Sequence, residues 1–161
     1  MALVSTGWCR VLLLSACLFS MCLFSAGCGM GQKKEPVIPS VPVSGGVTLD
    51  GKPLATATVT FYPEEGAAGI ECTGVTDDSG KYQLHPLRGG EGAPAGKYKV
   101  TVSHYTGPGG KPLVMTKDSP PPADLGAVES LPGRYSDLRL TTLTATVPPE
   151  GGTVDFELKS K

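Results

Sequence analysis

Apolar and polar side chains alternate with period two in seven short runs of this chain, and no stretch carries an apolar i, i+3, i+4, i+7 stripe of helical length. Val43, Val47 and Leu49 share one parity, and Ala55, Ala57, Val59 and Phe61 alternate with Thr56, Thr58 and Thr60. The Asp50-Gly51 pair between these runs predicts a first hairpin with one buried face. Ile70, Cys72 and Gly74 alternate with Glu71 and Thr73, as Tyr82 and Leu84 do with Lys81 and Gln83. The turn residues Asp77-Asp78-Ser79-Gly80 between them predict a second hairpin. Tyr98, Val100, Val102 and His104 against Lys97, Lys99, Thr101 and Ser103 make the cleanest half-buried strand. Leu143, Ala145 and Val147 oppose Thr142, Thr144 and Thr146, and a Pro-Gly turn at 148–152 leads into Val154, Phe156 and Leu158. One sheet cannot cover its own apolar face. Seven such strands therefore predict an all-β chain folded as a single seven-stranded antiparallel β-sandwich.

The start of the chain breaks this pattern. Residues 11–24 are an uncharged apolar core preceded by Arg10, which reads as a signal peptide over 1–27. Ser25-Ala26-Gly27-Cys28-Gly29 closes that core with small residues before a cysteine and resembles the bacterial lipobox, in which the bond before the cysteine is cut and the thiol lipidated. Ser25 stands where that motif usually has Leu. Two alternatives stay open: an uncleaved membrane anchor, although 11–27 is shorter than the ~20 residues a spanning helix needs, and a secreted chain cut at the same small residues. The lipobox reading puts cleavage at Gly27, lipid on Cys28 and the protein on a membrane of the bacterial cell envelope. Gly29 rather than Asp follows the cysteine, which favours the outer membrane over the inner. Residues 28–42 then form a lipidated tether, where Pro36, Pro39 and Pro42 favour extended geometry.

Composition narrows the function classes. Lys and Arg number 14 and Asp and Glu 15, for a net charge of −1, so the basic excess that nucleic-acid binding needs is missing. With 22 Gly and 15 Pro, the 161 residues suit a turn-rich domain. Of the 5 cysteines, Cys9, Cys17 and Cys22 leave with the signal and Cys28 carries lipid. Cys72 alone remains, so neither a disulfide framework nor a cysteine-based zinc site can form in the mature chain. On the parity of Ile70 it reads as a core thiol.

Three segments carry a family likeness. They are the run from Val43-Ser44-Gly45-Gly46 through Asp50-Gly51-Lys52-Pro53 to Phe61, then Thr73 to Tyr82 with its Asp77-Asp78-Ser79-Gly80 turn, then Gly92-Ala93-Pro94-Ala95-Gly96-Lys97-Tyr98 and its strand. In this order they resemble the carboxypeptidase regulatory-like, or transthyretin-like, β-sandwich domain. Leu131-Pro132-Gly133-Arg134-Tyr135-Ser136-Asp137 and the last two runs are similar to small bacterial lipoproteins carrying that single domain. The resemblance places the domain over 43–161, with an insertion at 106–129 that it does not cover. It implies a non-catalytic accessory module, and it brings no catalytic residue, metal or cofactor with it.

Motifs with chemistry in them fall away on spacing. The glycine-rich stretch ending Gly96-Lys97 has Glu91 where a phosphate loop needs Gly, and Tyr98 where it needs Ser or Thr. A calcium loop starting at Asp77 would place Arg88 where the bidentate Glu belongs. His85 and His104 are the two histidines, and neither lies in a hydrolase or metalloprotease motif. His104 falls on the apolar parity and reads as partly buried, while His85 reads as solvent-facing beside Pro86; a metal shared between them is the less favoured alternative.

The insertion is longer than the ~12–15 residues beyond which structureless loops are uncommon without a role. Leu113, Val114 and Met115 form an apolar patch inside it, and Pro120, Pro121 and Pro122 stiffen its return toward Tyr135. It reads either as an arm presenting Leu113, Val114, Met115 and Tyr135 to a partner, or as a disordered surface loop with a short segment folded back over the sandwich edge. The expected function is thus a structural or protein-interaction module with an envelope protein as partner and a lipid anchor in the membrane. The alternative is a glycan-binding module using Tyr105 and Tyr135, weakened because Trp8 leaves with the signal.

Overall fold

The computed structural model describes residues 38–64, 69–88, 90–116 and 118–161. The signal segment, the Gly27-Cys28 junction and the tether up to residue 37 lie outside the described residues. In chain order the strands are β1 (Ser40–Val41), β2 (Val43–Leu49), β3 (Lys52–Pro53), β4 (Thr58–Pro63) and β5 (Cys72–Val75). Next come β6 (Lys81–Gln83), β7 (His85–Pro86), β8 (Ala93–Pro94), β9 (Gly96–Ser103) and β10 (Tyr105–Thr106). The last are β11 (Pro112–Leu113), β12 (Val128–Glu129), β13 (Thr144–Val147), β14 (Gly152–Thr153) and β15 (Phe156–Leu158). A 3-10 turn at Pro122–Leu125 and a one-turn helix, α1 (Gly133–Ser136), are the helical pieces among the described residues. The chain is all-β, and each of the seven alternating runs carries a strand.

Two sheets dominate. The first has the antiparallel order β13-β9-β4-β5-β7. The second is built on β2, which pairs with β3 and β6 antiparallel and with β14 and β15 parallel. The inward parity of both sheets feeds one core: Val59, Phe61, Val100 and Val102 from the first, Val47, Phe156 and Leu158 from the second, all buried. Phe61 meets Tyr98 at 5.7 Å and crosses to Phe156 at 6.1 Å between ring centroids. Buried hydroxyls are satisfied within the core, Tyr82 donating to the Val154 carbonyl and Tyr98 to that of Pro94, each at 2.7 Å.

Neither expected hairpin pairs its two runs with each other, and the reason is topological. After the Asp50-Gly51 turn, where φ is +52° and +81° as a two-residue hairpin requires, β3 pairs with β2 for two residues. The chain then crosses to the first sheet as β4. Buried Thr76 fastens this crossing: its Oγ1 donates to the Leu54 carbonyl at 2.6 Å and accepts from the Ala57 N–H at 2.8 Å. The Asp77–Gly80 turn is a second crossing, from β5 in the first sheet to β6 in the second. Asp77 Oδ1 organises it by accepting from the Ser79 and Lys81 N–H groups at 2.9 and 2.8 Å. Alternation reports that one face is buried, and it is the same whether the next strand lies beside or opposite.

Other departures follow the same logic. The end of the expected tether enters the fold, since β1 pairs with β8. The parallel pairing of β14 and β15 is interrupted between them, and there Asp155 Oδ1 accepts the Gly46 N–H at 2.7 Å in place of a ladder bond. Strands β11 and β12 of the insertion flank β10 in a three-stranded sheet, and none of the insertion's described residues belongs to the buried core.

Candidate functional site

On the outward parity of β4 and β5 stand Thr58, Thr60, Thr73 and Val75, where a sandwich normally meets solvent. The insertion covers part of this face. It leaves β10, turns through Gly107–Gly110, pairs back as β11 and then runs over β4, where Thr58 Oγ1 donates to the Met115 carbonyl at 3.4 Å. A tight turn follows, with the Thr116 N–H on Ser119 Oγ at 3.0 Å, before the prolines lead back to β12.

Between insertion and sheet lies a recess of about 360 Å³. Threonines 58, 60 and 73 form its floor, Val75, Leu87 and Met115 its apolar sides, and Glu71, His85 and Asp118 its charged or titratable lining. An open groove of about 800 Å³ runs along the neighbouring seam between β5 and β6, past Gln83, Lys81 and Asp77, and shares Thr73, Val75 and His85 with the recess. Burial pushes the Glu71 carboxyl above its ordinary value, and burial together with the Glu71 charge does the same to the Tyr62 hydroxyl.

The residues expected to bind a partner separate here. Leu113 is half-buried in β11, Val114 is 43% exposed, and Met115 lines the recess. Tyr135 is held elsewhere, packed on the core from α1, with its hydroxyl accepting the Lys159 N–H at 3.1 Å and the Arg134 guanidinium 4.9 Å above its ring. Hydrogen bonds from Arg134 and Lys159 lower the Tyr135 hydroxyl from its ordinary value. Met115 thus borders the face of β4 and β5, whereas Tyr135 packs on the core beside Arg134 and Lys159 and is not among the recess's lining residues.

The histidines part in the same way. His85 is exposed and lines the recess. Half-buried His104 lies at the end of β9, with Nδ1 2.6 Å from Ser130 Oγ and Nε2 3.4 Å from Thr56 Oγ1, while Glu129 Oε1 accepts its main-chain N–H at 2.9 Å. Among the described residues no group of three or more His, Cys, Asp or Glu side chains is placed to hold a metal ion. Cys72 packs in the core, its thiol pushed up to about 11 by burial and then by the charge of Glu71.

Sequence reasoning missed Glu71, His85 and Asp118 as members of one site. The run of outward threonines was the visible signal. What joined them was the path of the insertion, which has no periodicity to read. Among the described residues lining the recess there is no Phe, Tyr or Trp, the side chains a glycan site favours as a stacking platform.

No protein-family model matches this chain, and no curated protein matches it. Among solved structures it is similar to a 9R-lipoxygenase from Cyanothece PCC8801, at 14% identity and a TM-score of 0.34, over 78% of this chain and 17% of that one. The chain spans less than a fifth of that structure's length, and a likeness at this level carries no argument about fold or activity.

Proposed function

We propose that this chain is a non-catalytic lipoprotein of the bacterial cell envelope, cut after Gly27 and anchored through lipid on Cys28, whose all-β unit is a protein-interaction module. The anchor rests on the apolar segment and small residues ahead of Cys28. We further assign the unit to the carboxypeptidase regulatory-like, seven-stranded sandwich type. Supporting that assignment are the strands carried by all seven alternating runs and the core shared by two facing sheets. Outer-membrane placement follows from Gly29 beside the cysteine.

One observation carries the interaction reading: the insertion's described residues add nothing to the core, yet Met115, Thr116 and Asp118 lie over the outward face of β4 and β5 and leave an apolar-sided recess there. Covering a sheet face without enclosing it is how a loop on a rigid scaffold builds a binding surface. A photo-crosslinking residue at Val75, 39% exposed at the recess, should trap one envelope protein in native membranes. Replacing 107–127 with a short Gly-Ser linker should abolish that product while the domain stays folded. Persistence of the same product at normal yield would move the interaction to another face. In a parallel arm, labelled palmitate should enter the parent chain and not Cys28→Ala; labelling that persists in the variant removes the anchor from Cys28.

A further inference from the structure

The recess beneath the insertion divides by chemistry. Val75, Leu87 and Met115 supply an apolar passage, and Glu71 and Asp118 supply negative charge. Among its described lining residues there is no lysine or arginine. Among the described residues, neither carboxylate forms an ion pair or a side-chain hydrogen bond. Three other carboxylates of this domain are engaged: Asp155 with Lys81 at 3.9 Å and with the Gly46 N–H, Asp137 with the Arg139 N–H, Asp77 within its turn. Glu71 is therefore half-buried with no cationic partner among the described residues. A volume of about 360 Å³ lies at the lower end of the ~300–1,000 Å³ of small-molecule sites, which suits a single long side chain.

We propose that this recess receives a lysine or arginine side chain from an extended segment of the partner protein, its aliphatic stem along Val75, Leu87 and Met115 and its cation at the carboxylates of Glu71 and Asp118. Long cationic side chains bury their stems on apolar surface and keep the charged head at a polar edge, and the recess has that division. An acidic segment is rejected by the same two carboxylates. A purely apolar side chain would leave Glu71 desolvated further with nothing to offset the cost. The hydroxyls of Thr58, Thr60 and Thr73 on the floor can accept hydrogen bonds from an ammonium or guanidinium. Burial already pushes the Glu71 carboxyl up, and an incoming cation pulls it back down, which gives a readout independent of affinity.

The inference rests on the interaction reading and names the partner's chemistry at that site. To test it, the full chain in detergent micelles is titrated with acetyl-Gly-Arg-Gly-amide, acetyl-Gly-Lys-Gly-amide and the neutral acetyl-Gly-citrulline-Gly-amide, followed by amide chemical shifts of Thr58, Thr73 and Thr116. The two cationic peptides should give saturable shifts at these residues. The citrulline peptide should bind more weakly by up to about fivefold, the ratio that an ion pair near the surface supports. Glu71→Gln and Asp118→Asn should each weaken the cationic peptides, and Glu157→Gln, exposed on β15, should not. Binding should also lower the pH at which the Glu71 carboxyl titrates. Equal binding of the citrulline peptide, unchanged binding in the Glu71→Gln, Asp118→Asn double variant, or no shifts with any peptide would each overturn the proposal. If the peptides fail while the Val75 crosslink persists and still depends on the insertion, the cation recess falls and the interaction module stands. Loss of the crosslink in the parent chain removes the interaction reading itself.

Discussion

Cys72 has no exposed surface, and its proton belongs to a window that can be measured. The unfolded chain releases it near the ordinary value of 9, whereas the folded chain holds it to about 11. Between those values the folded state binds more protons, so stability falls as pH rises. Tyr98, raised to about 12 by burial and by Cys72, and Tyr82, raised further by burial, add to the loss above their ordinary value of 10. Cys72→Ala should therefore be flat between pH 9 and 10, where the parent chain loses melting temperature, and should fall with it above pH 10. Parallel falls from pH 9 in both chains, followed by circular dichroism, would remove Cys72 from the account. Thr56 shows the other way a residue is set by its surroundings. This β-branched side chain sits at φ +56°, which is unfavourable by itself. It is held there by its N–H on the Thr76 carbonyl at 3.0 Å and by Thr76 Oγ1 one residue on. Nothing in the local sequence announces that strain, because its cause lies twenty residues away.

At the scale of elements, the crossings between sheets are the features that define the fold, and a glycine allows the one from β5 to β6 to close. A Cβ on Gly74 would stand 2.3 Å from the Gln83 carbonyl oxygen, which is main chain of the opposing strand β6 and cannot swing aside. Gly74→Ala should thus pry β5 from β6 and cost at least roughly 1–3 kcal/mol, the usual range for overpacking. Gly152→Ala is its control: the nearest atom to a new Cβ lies at 3.8 Å, an ordinary contact, and its urea midpoint should stay close to that of the parent. Equal losses in the two variants would mean that close approach at β5 and β6 is not what Gly74 supplies. The insertion escaped the sequence pattern for a related reason. Its strands β11 and β12 are two residues each, paired on the equally short β10, and a two-residue strand has no alternation to detect. Leu113, Val114 and Met115 could be seen as an apolar patch. That Met115 would end over the threonines of β4 could not.

Across the whole molecule, one core joins both sheets, and Phe61 stands at its centre, fully buried and in ring contact with Tyr98 and Phe156. Phe61→Ala should cost roughly 3–5 kcal/mol of unfolding free energy by urea titration, the range for a large aromatic deleted from a packed interior. Thr58→Ala, on the outward parity, should cost under about 1 kcal/mol, the worth of one ordinary hydrogen bond. A similar cost for both would contradict the division into inward and outward faces. That division was legible in the chain before any coordinates: which runs are strands, which parity is buried, where Asp50-Gly51 and Asp77–Gly80 turn, and that Cys72 is a core residue. These are set by local geometry and by the side chain's own preference for water or for a core, and both are written residue by residue. Which strand lies beside which was decided only in three dimensions. So were the parallel pairing of β14 and β15 on β2 and the meeting of Glu71, His85 and Asp118 around one recess. Pairing partners are chosen by the joint packing of distant segments, and an alternation with period two is satisfied equally by a neighbour in the same sheet and by one across the core.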